Sequence, residues 1–200
     1  MPSWIDPVRR RLLAFRRPVK ADLVIAKDGS GKYTTINEAL KDIPLNSETP
    51  FVLYIKAGVY NEIVTFTENM TNLVVIGDGP TRTVITGDLN FVDGIQTYAT
   101  ATVSVLGNNF MAKYIGFANT AGPTKHQAVA LLVQSDFSIF YQCNMDGLGG
   151  GGGSLVLALG TRSEYGIGFL PVGLWDSPND RPLSEFHLRN SEVAWNKKST

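Results

Sequence analysis

The sequence predicts an all-β body, and three observations carry that expectation. Short runs of β-branched and aromatic residues recur along the chain and read as strands: Phe51-Val52-Leu53-Tyr54-Ile55, Leu73-Val74-Val75-Ile76, Thr83-Val84-Ile85 and Thr102-Val103-Ser104-Val105. Turn-forming Gly, Asn or Asp follows each run. Two stretches repeat, Asn109-Phe110-Met111-Ala112-Lys113-Tyr114 and Asp136-Phe137-Ser138-Ile139-Phe140-Tyr141, at an offset of 27 residues. Val103 and Val105 fall opposite Ala130 and Leu132 at the same offset. Phe110, Ala112 and Tyr114, like Phe137, Ile139 and Tyr141, are then expected to share one strand face. Evenly spaced strands also suit a sandwich, but a repeat of this length favours stacked coils. Finally, the 200 residues are 44% hydrophobic, enough for a core. No apolar stretch approaches the roughly 18–20 residues that span a bilayer.

Residues 1–20 form a basic leader: Arg9, Arg10, Arg11, Arg16, Arg17 and Lys20 against Asp6. The remaining body is mildly acidic, so the formal net charge is zero. Clustered cations attract phosphate, yet only Trp4 and Phe15 interleave them and no second basic patch follows. A plain exposed, easily cleaved terminus accounts for the leader without nucleic acid. No secretory signal is legible, because charge stands where an apolar core belongs. Val24-Ile25 open the body and run into the turn cluster Asp28-Gly29-Ser30-Gly31. Thr35–Ile43 places Ile36, Leu40 and Ile43 at helical spacing, and Pro44 stops the helix. The strands continue to Gly147, giving a body at 21–147. A glycine-rich linker at 148–154 follows. The tail at 155–200 is expected to be irregular, packing weakly on the body or lacking order. A solenoid interrupted there leaves an uncovered edge just after Tyr141–Cys143.

Several chemistries are excluded by residue type. A single cysteine, Cys143, forms no internal disulfide, and two histidines, His126 and His187, make a metal cluster improbable. Gly29-Ser30-Gly31-Lys32 fails as a phosphate loop, since Tyr33 stands where magnesium needs a hydroxyl and Ala26 replaces the leading glycine. Gly152-Gly153-Ser154-Leu155-Val156 fails as a nucleophile elbow at Val156. Glu62 ends a strand-turn segment, where solvation or an ion pair explains a carboxylate better than catalysis does. Gln127 can donate its amide to an oxyanion, or simply tie a corner. His126 has no evident partner as a general base.

Taken together, Ala26-Lys27-Asp28-Gly29-Ser30-Gly31-Lys32-Tyr33, Ile55-Lys56-Ala57-Gly58-Val59-Tyr60-Asn61-Glu62, Ile76-Gly77-Asp78-Gly79, Asn119-Thr120-Ala121-Gly122 and His126-Gln127-Ala128-Val129-Ala130-Leu131 resemble the amino-terminal half of the catalytic domain of plant pectin methylesterases. Pro2-Ser3-Trp4 with Arg10-Arg11-Leu12-Leu13 resembles the junction where those enzymes' pro-region is removed. The resemblance implies a right-handed parallel β-helix, truncated here. It implies an aspartyl esterase without metal or organic cofactor that hydrolyses methyl esters of pectin in the secreted, cell-wall setting. A pectinesterase inhibitor protein is an implied partner; nucleic acid is not. Thr97 and Gln127 match substrate-contacting positions, Gln127 also serving the oxyanion. The oxyanion glutamine and acid aspartate of the family fall by register at Gly149 and Gly150, and the nucleophile segment has no counterpart. No catalytic residue is therefore assigned, and weak or absent turnover is expected. The alternatives are a pectin-binding module and a truncated product without function. Asn69-Met70-Thr71 is a glycosylation sequon at Asn69.

Overall fold

Side chains alternate between the two faces of a strand, and that alternation organises the molecule around one continuous interior. The computed structural model describes residues 7–14 and 20–147, and the backbone of four short strands between Leu155 and Trp195. Helix α1 (Pro7–Ala14) precedes β1 (Leu23–Ile25) and α2 (Ile36–Ala39), which continues as a 3-10 turn over Leu40–Asp42. The next coil is β2 (Phe51–Ile55), β3 (Gly58–Asn61) and β4 (Val64–Phe66). It is followed by β5 (Leu73–Gly77), β6 (Thr83–Gly87) and β7 (Val103–Val105), then by β8 (Met111–Lys113), β9 (Gly116–Asn119) and β10 (Val129–Val133). A further coil comprises β11 (Ile139–Tyr141), β12 (Asn144–Gly147) and β13 (Leu155–Ala158). Beyond it lie β14 (Leu170–Pro171), β15 (Glu185–Arg189) and β16 (Glu192–Trp195).

Each coil contributes one strand to each of three sheets. The first sheet runs β1-β2-β5-β8-β11, the second β3-β6-β9-β12 and the third β4-β7-β10-β13, all in parallel register. This is a parallel β-helix, as expected. Inward positions form its core: Leu53, Ile55, Leu73, Val75, Ile85, Val103, Val105 and Ala112 are all buried. Phe66, Phe110, Phe140 and Phe117 form a chain of ring contacts inside the stack, at centroid separations of 5.3, 5.7 and 6.0 Å. Such offset or edge-on contacts suit ring quadrupoles. Coils approach so closely that a Cβ on Gly116 would stand 2.2 Å from Pro80 O.

The two repeated stretches pair with an offset of 28, one more than their aromatic letters suggest: Met111 pairs with Ile139, and Val103 likewise with Leu131. The physical repeat is set by backbone conformation. Asn72, Asn109 and Phe137 each take positive φ before their strands, and Tyr114 and Gln142 do so after theirs. Phe137 is thus the counterpart of Asn109, and Phe140 takes the inward place beside Phe110. Ile139 and Tyr141 point outward instead, because a one-residue shift exchanges the two faces of a strand.

Three further expectations are revised. The helix at Thr35–Ile43 is a single α-turn, capped by Thr35 Oγ1 accepting from Glu38 N, before it tightens. The leader is not simply exposed: α1 docks on the first sheet with Arg9 and Leu13 buried. The stack does not end bare at Tyr141, because β13 continues the third sheet, β14 closes it antiparallel, and β15 pairs antiparallel with β11. Reversed strands end the coil repeat while occupying the edge hydrogen bonds. The linker at 148–154 lies outside the described residues.

Candidate functional site

The loops that enter the third sheet carry the polar and aromatic groups singled out in the sequence. Thr97 begins the 3-10 turn Thr97–Thr100 ahead of β7, and Gln127 lies two residues before β10. Thr100 Oγ1 donates to Thr97 O at 2.6 Å and accepts from Val129 N at 3.1 Å. One buried hydroxyl therefore ties the turn bearing Thr97 to the strand entrance bearing Gln127. Gln127 is exposed, and its backbone carbonyl accepts from Phe91 N at 3.1 Å. Phe91, Val92 and Tyr98 stand 50%, 51% and 54% exposed on the same loop. The backbone segments that carry Thr97 and Gln127 are thus tied through Thr100, and Phe91 lies against the Gln127 backbone.

Asn119, which sequence reasoning passed over as part of a motif string, is the hub of this region. Buried in the core edge, its Nδ2 is within bonding distance of Leu89 O (2.9 Å), Thr100 O (3.1 Å) and Val129 O (3.2 Å). Its Oδ1 accepts from Ala121 N. Buried amides are costly unless satisfied, and here the satisfied amide holds three loop segments in one arrangement. The available signal was the Asn inside Asn119-Thr120-Ala121-Gly122, an amide at a strand end where a turn is needed.

The charged groups nearby are committed to one another. Asp93 Oδ1 accepts from Lys125 Nζ at 2.6 Å, and its Oδ2 from Asn90 Nδ2 at 2.7 Å. Hydrogen bonds from Lys125 first and Asn90 second hold the Asp93 carboxyl below its usual range, so it stays ionised. It is a structural anion of the loop rather than a proton donor. His126 is exposed in a left-handed conformation, with φ of 57°.

Glu62 is structural, but backbone amides hold it rather than the solvent or ion pair expected of it. Its Oε1 and Oε2 accept from Ile36 N (3.0 Å) and Asn37 N (2.9 Å), so it caps the N-terminus of α2. Asn69 lies on the turn that leaves β4, not on the loops that carry Thr97 and Gln127 into the third sheet. It is exposed on the turn between β4 and β5, where Met70 N donates to Thr67 O and Thr71 Oγ1 donates to Ser47 O. Among the described residues no three His, Cys, Asp or Glu side chains converge as metal ligands do. Gly149 and Gly150 lie outside those residues. The geometry offers an amide, a hydroxyl and open aromatic faces, which suits holding a polyhydroxylated chain.

Comparison with known proteins agrees with this architecture. A profile of the family described as pectinesterase matches residues 22–150. The Arabidopsis thaliana protein called probable pectinesterase/pectinesterase inhibitor 58 is 57% identical over 148 residues, covering 74% of this chain and 26% of its own length. Pectinesterase 2 of the same plant is 51% identical over 144 residues, covering 72% of this chain and 24% of its own length. Among solved structures, pectin methylesterase from carrot superposes with a TM-score of 0.63 at 41% identity, covering 71% of this chain and 46% of the carrot chain. Pectin methylesterase PemA from Erwinia chrysanthemi gives 0.62 at 26% identity, covering 72% and 47%. The chain spans about a quarter of the curated relatives' length and about half of the solved chains.

Proposed function

The chain belongs to the pectinesterase family, and from that membership we propose that it supplies a pectin-holding surface and turns over methyl ester weakly or not at all. The observation that carries this reading is the link from Thr97 through Thr100 to Val129, beside exposed Gln127, Phe91 and Tyr98. Hydroxyl and amide groups bind sugar oxygens, while rings cover the apolar faces of pyranoses. On this reading Gln127 donates an amide N–H to an ester oxygen as charge develops on it, supported by its exposure at the entrance of β10.

Acyl transfer through a carboxylate needs a second, protonated carboxyl to serve the leaving group. One carboxylate of this loop cluster, Asp93, is held ionised by Lys125 and Asn90. The family's acid position corresponds to Gly150, which has no side chain to titrate. Oxyanion and binding groups alone give only residual catalysis.

The test has two arms on the purified chain. Methanol release from highly methyl-esterified pectin should be at or near background, and robust turnover overturns the weak-turnover reading. Titration with partly methylated oligogalacturonides should saturate, and Gln127→Ala should weaken it. No heat signal at millimolar ligand overturns the pectin-holding reading. A complex with a hexasaccharide is described for one pectin methylesterase at 29% identity, which supports using oligomers of that size.

Two subsidiary readings accompany it. Asn69 carries an N-linked glycan when the chain passes through a secretory route to the cell wall, supported by its exposed turn. Endoglycosidase treatment of plant-expressed protein should then lower its mass, a shift that Asn69→Gln abolishes. Pectinesterase inhibitor protein is the partner suggested by the joint names of several relatives. Pull-down with that inhibitor tests it.

A further inference from the structure

Helix α1 is gripped by the body at three points. At its start Arg9 is buried, although arginine is rarely so unless paired. Its Nη2 donates to Asn72 Oδ1 at 2.6 Å and Asn109 O at 2.9 Å, and Nη1 to Asn109 Oδ1 at 3.2 Å. These asparagines are the left-handed residues that open β5 and β8, so Arg9 reads the turn ladder of the β-helix. At the other end Lys113 Nζ donates to Leu12 O (3.0 Å) and Leu13 O (2.6 Å). A cation there satisfies carbonyls that a helix leaves unpaired and complements its dipole. Between these points Leu13 sinks among Val52, Val74, Ile76, Met111 and Ile139.

Eight residues are too few to persist as a helix alone, so α1 is helical because it is docked. Its docked and released states are two discrete arrangements of one basic segment. Arg10 and Arg11 point to solvent while their peptide bonds lie within the helix. A protease that cuts after arginine can reach those side chains, yet it must draw the backbone out as an extended strand. Cleavage then follows the population of the opened segment. Lys113 is brought down to about 8 by burial, in keeping with an ammonium enclosed by the helix end and the rings of Tyr114 and Tyr141, 4.8 and 5.4 Å away.

We propose that α1 is a latch: docking through Arg9, Leu13 and Lys113 hides the backbone of its own basic tract from arginine-specific proteases, and release of the latch limits cutting. The step is hydrolysis of the peptide bond after Arg10 or Arg11, with water supplying the hydroxyl and the proton. This inference is independent of any carbohydrate binding.

The experiment is brief trypsin digestion of the 200-residue chain, with initial rates at Arg10 and Arg11 resolved by mass spectrometry. A peptide of residues 1–20 gives the unprotected rate. The intact chain should be cut at least about tenfold more slowly than the peptide, as the loss of buried charged hydrogen bonds on opening requires. Lys113→Met, and separately Asn72→Gly with Asn109→Gly, should restore most of the peptide's rate. Glycine keeps the positive φ at both positions while removing the amide acceptors. Equal rates for intact chain and peptide overturn the latch. So do unchanged rates in folded variants, with folding checked by circular dichroism. If Lys113→Met fails to fold, the glycine pair and the wild-type comparison decide the matter.

Discussion

The outer faces of the first and third sheets belong to the same coils yet meet solvent differently. Outward residues of the first sheet, Val52, Val74, Met111 and Ile139, form an unbroken apolar row, and with Ile76 beside it they pack under Leu13 of α1. The corresponding row of the third sheet runs Thr65, Ser104, Leu132, and only Leu132 of these is buried, with Ala101 and Val129. On that side the loops raise Phe91 and Tyr98 into solvent. A parallel strand buried on both faces reads as continuous hydrophobicity, whereas a solvated face alternates. The lesson is that the inward pattern builds the solenoid, while the outward pattern decides whether a face is sealed or left open to bind.

The sharpest way to break this contrast is to place the same charge on each face. Met111→Asp buries a carboxylate beneath Leu13 and should cost about 4 kcal/mol or more with loss of α1 docking, since an unpaired charge cannot be desolvated cheaply. Ser104→Asp, on the open face, should cost under about 1 kcal/mol. Chemical denaturation of both variants gives the comparison, and equal losses would erase the distinction.

Asn119→Ala comes next. It leaves Leu89 O, Thr100 O and Val129 O without their shared donor, at about 2–3 kcal/mol. Because the same amide orders the Thr97 and Gln127 loops, oligogalacturonide binding should fall together with thermal stability. By contrast Tyr98→Ala should separate the two readouts. Affinity drops about tenfold, or about 1.4 kcal/mol, if its ring covers a sugar, while the melting temperature stays put because the ring is already half in water.

The smallest effect is a titration. Burial first, and a hydrogen bond to Asp78 Oδ1 at 2.5 Å second, push the Tyr54 phenol up to about 12. Tyr54 packs beside the sealed row of the first sheet. Between pH 10 and 12 the folded chain keeps a proton that the unfolded chain releases. Its contribution is therefore complete below pH 10 and is lost as pH rises through 12. Tyr54→Phe should flatten that part of the stability profile relative to wild type; identical slopes would remove Tyr54 from the account.

Much of the fold is legible in one dimension. Apolar runs such as Leu73–Ile76 become strands, and Thr35 with Pro44 brackets the short helix. The near-repeat around Phe110 and Phe137 announces stacked coils. It misleads by one residue because letters align ring with ring, whereas coils align left-handed turn with left-handed turn, Asn109 with Phe137. Thr97 is named by resemblance alone and Gln127 first by its amide chemistry, and their spacing in the chain says nothing of the hydroxyl of Thr100 that connects their segments. Glu62 reads from the sequence as a solvated or ion-paired carboxylate, and only the fold shows that α2 begins at its oxygens.

Helix α1 shows where reading stops. Its eight residues hold three arginines and one pair of leucines, a pattern that suits an exposed tail. Its helicity comes from partners about 60 to 100 residues away, Asn72, Asn109 and Lys113. The sequence alone determined the strands, the coil stack and the family, because period, turn chemistry and side-chain volume act between neighbours. Which face is sealed, which carboxylate caps a helix, and where a buried lysine finds its carbonyls were decided only by the tertiary structure. Those outcomes depend on which distant groups lose water together.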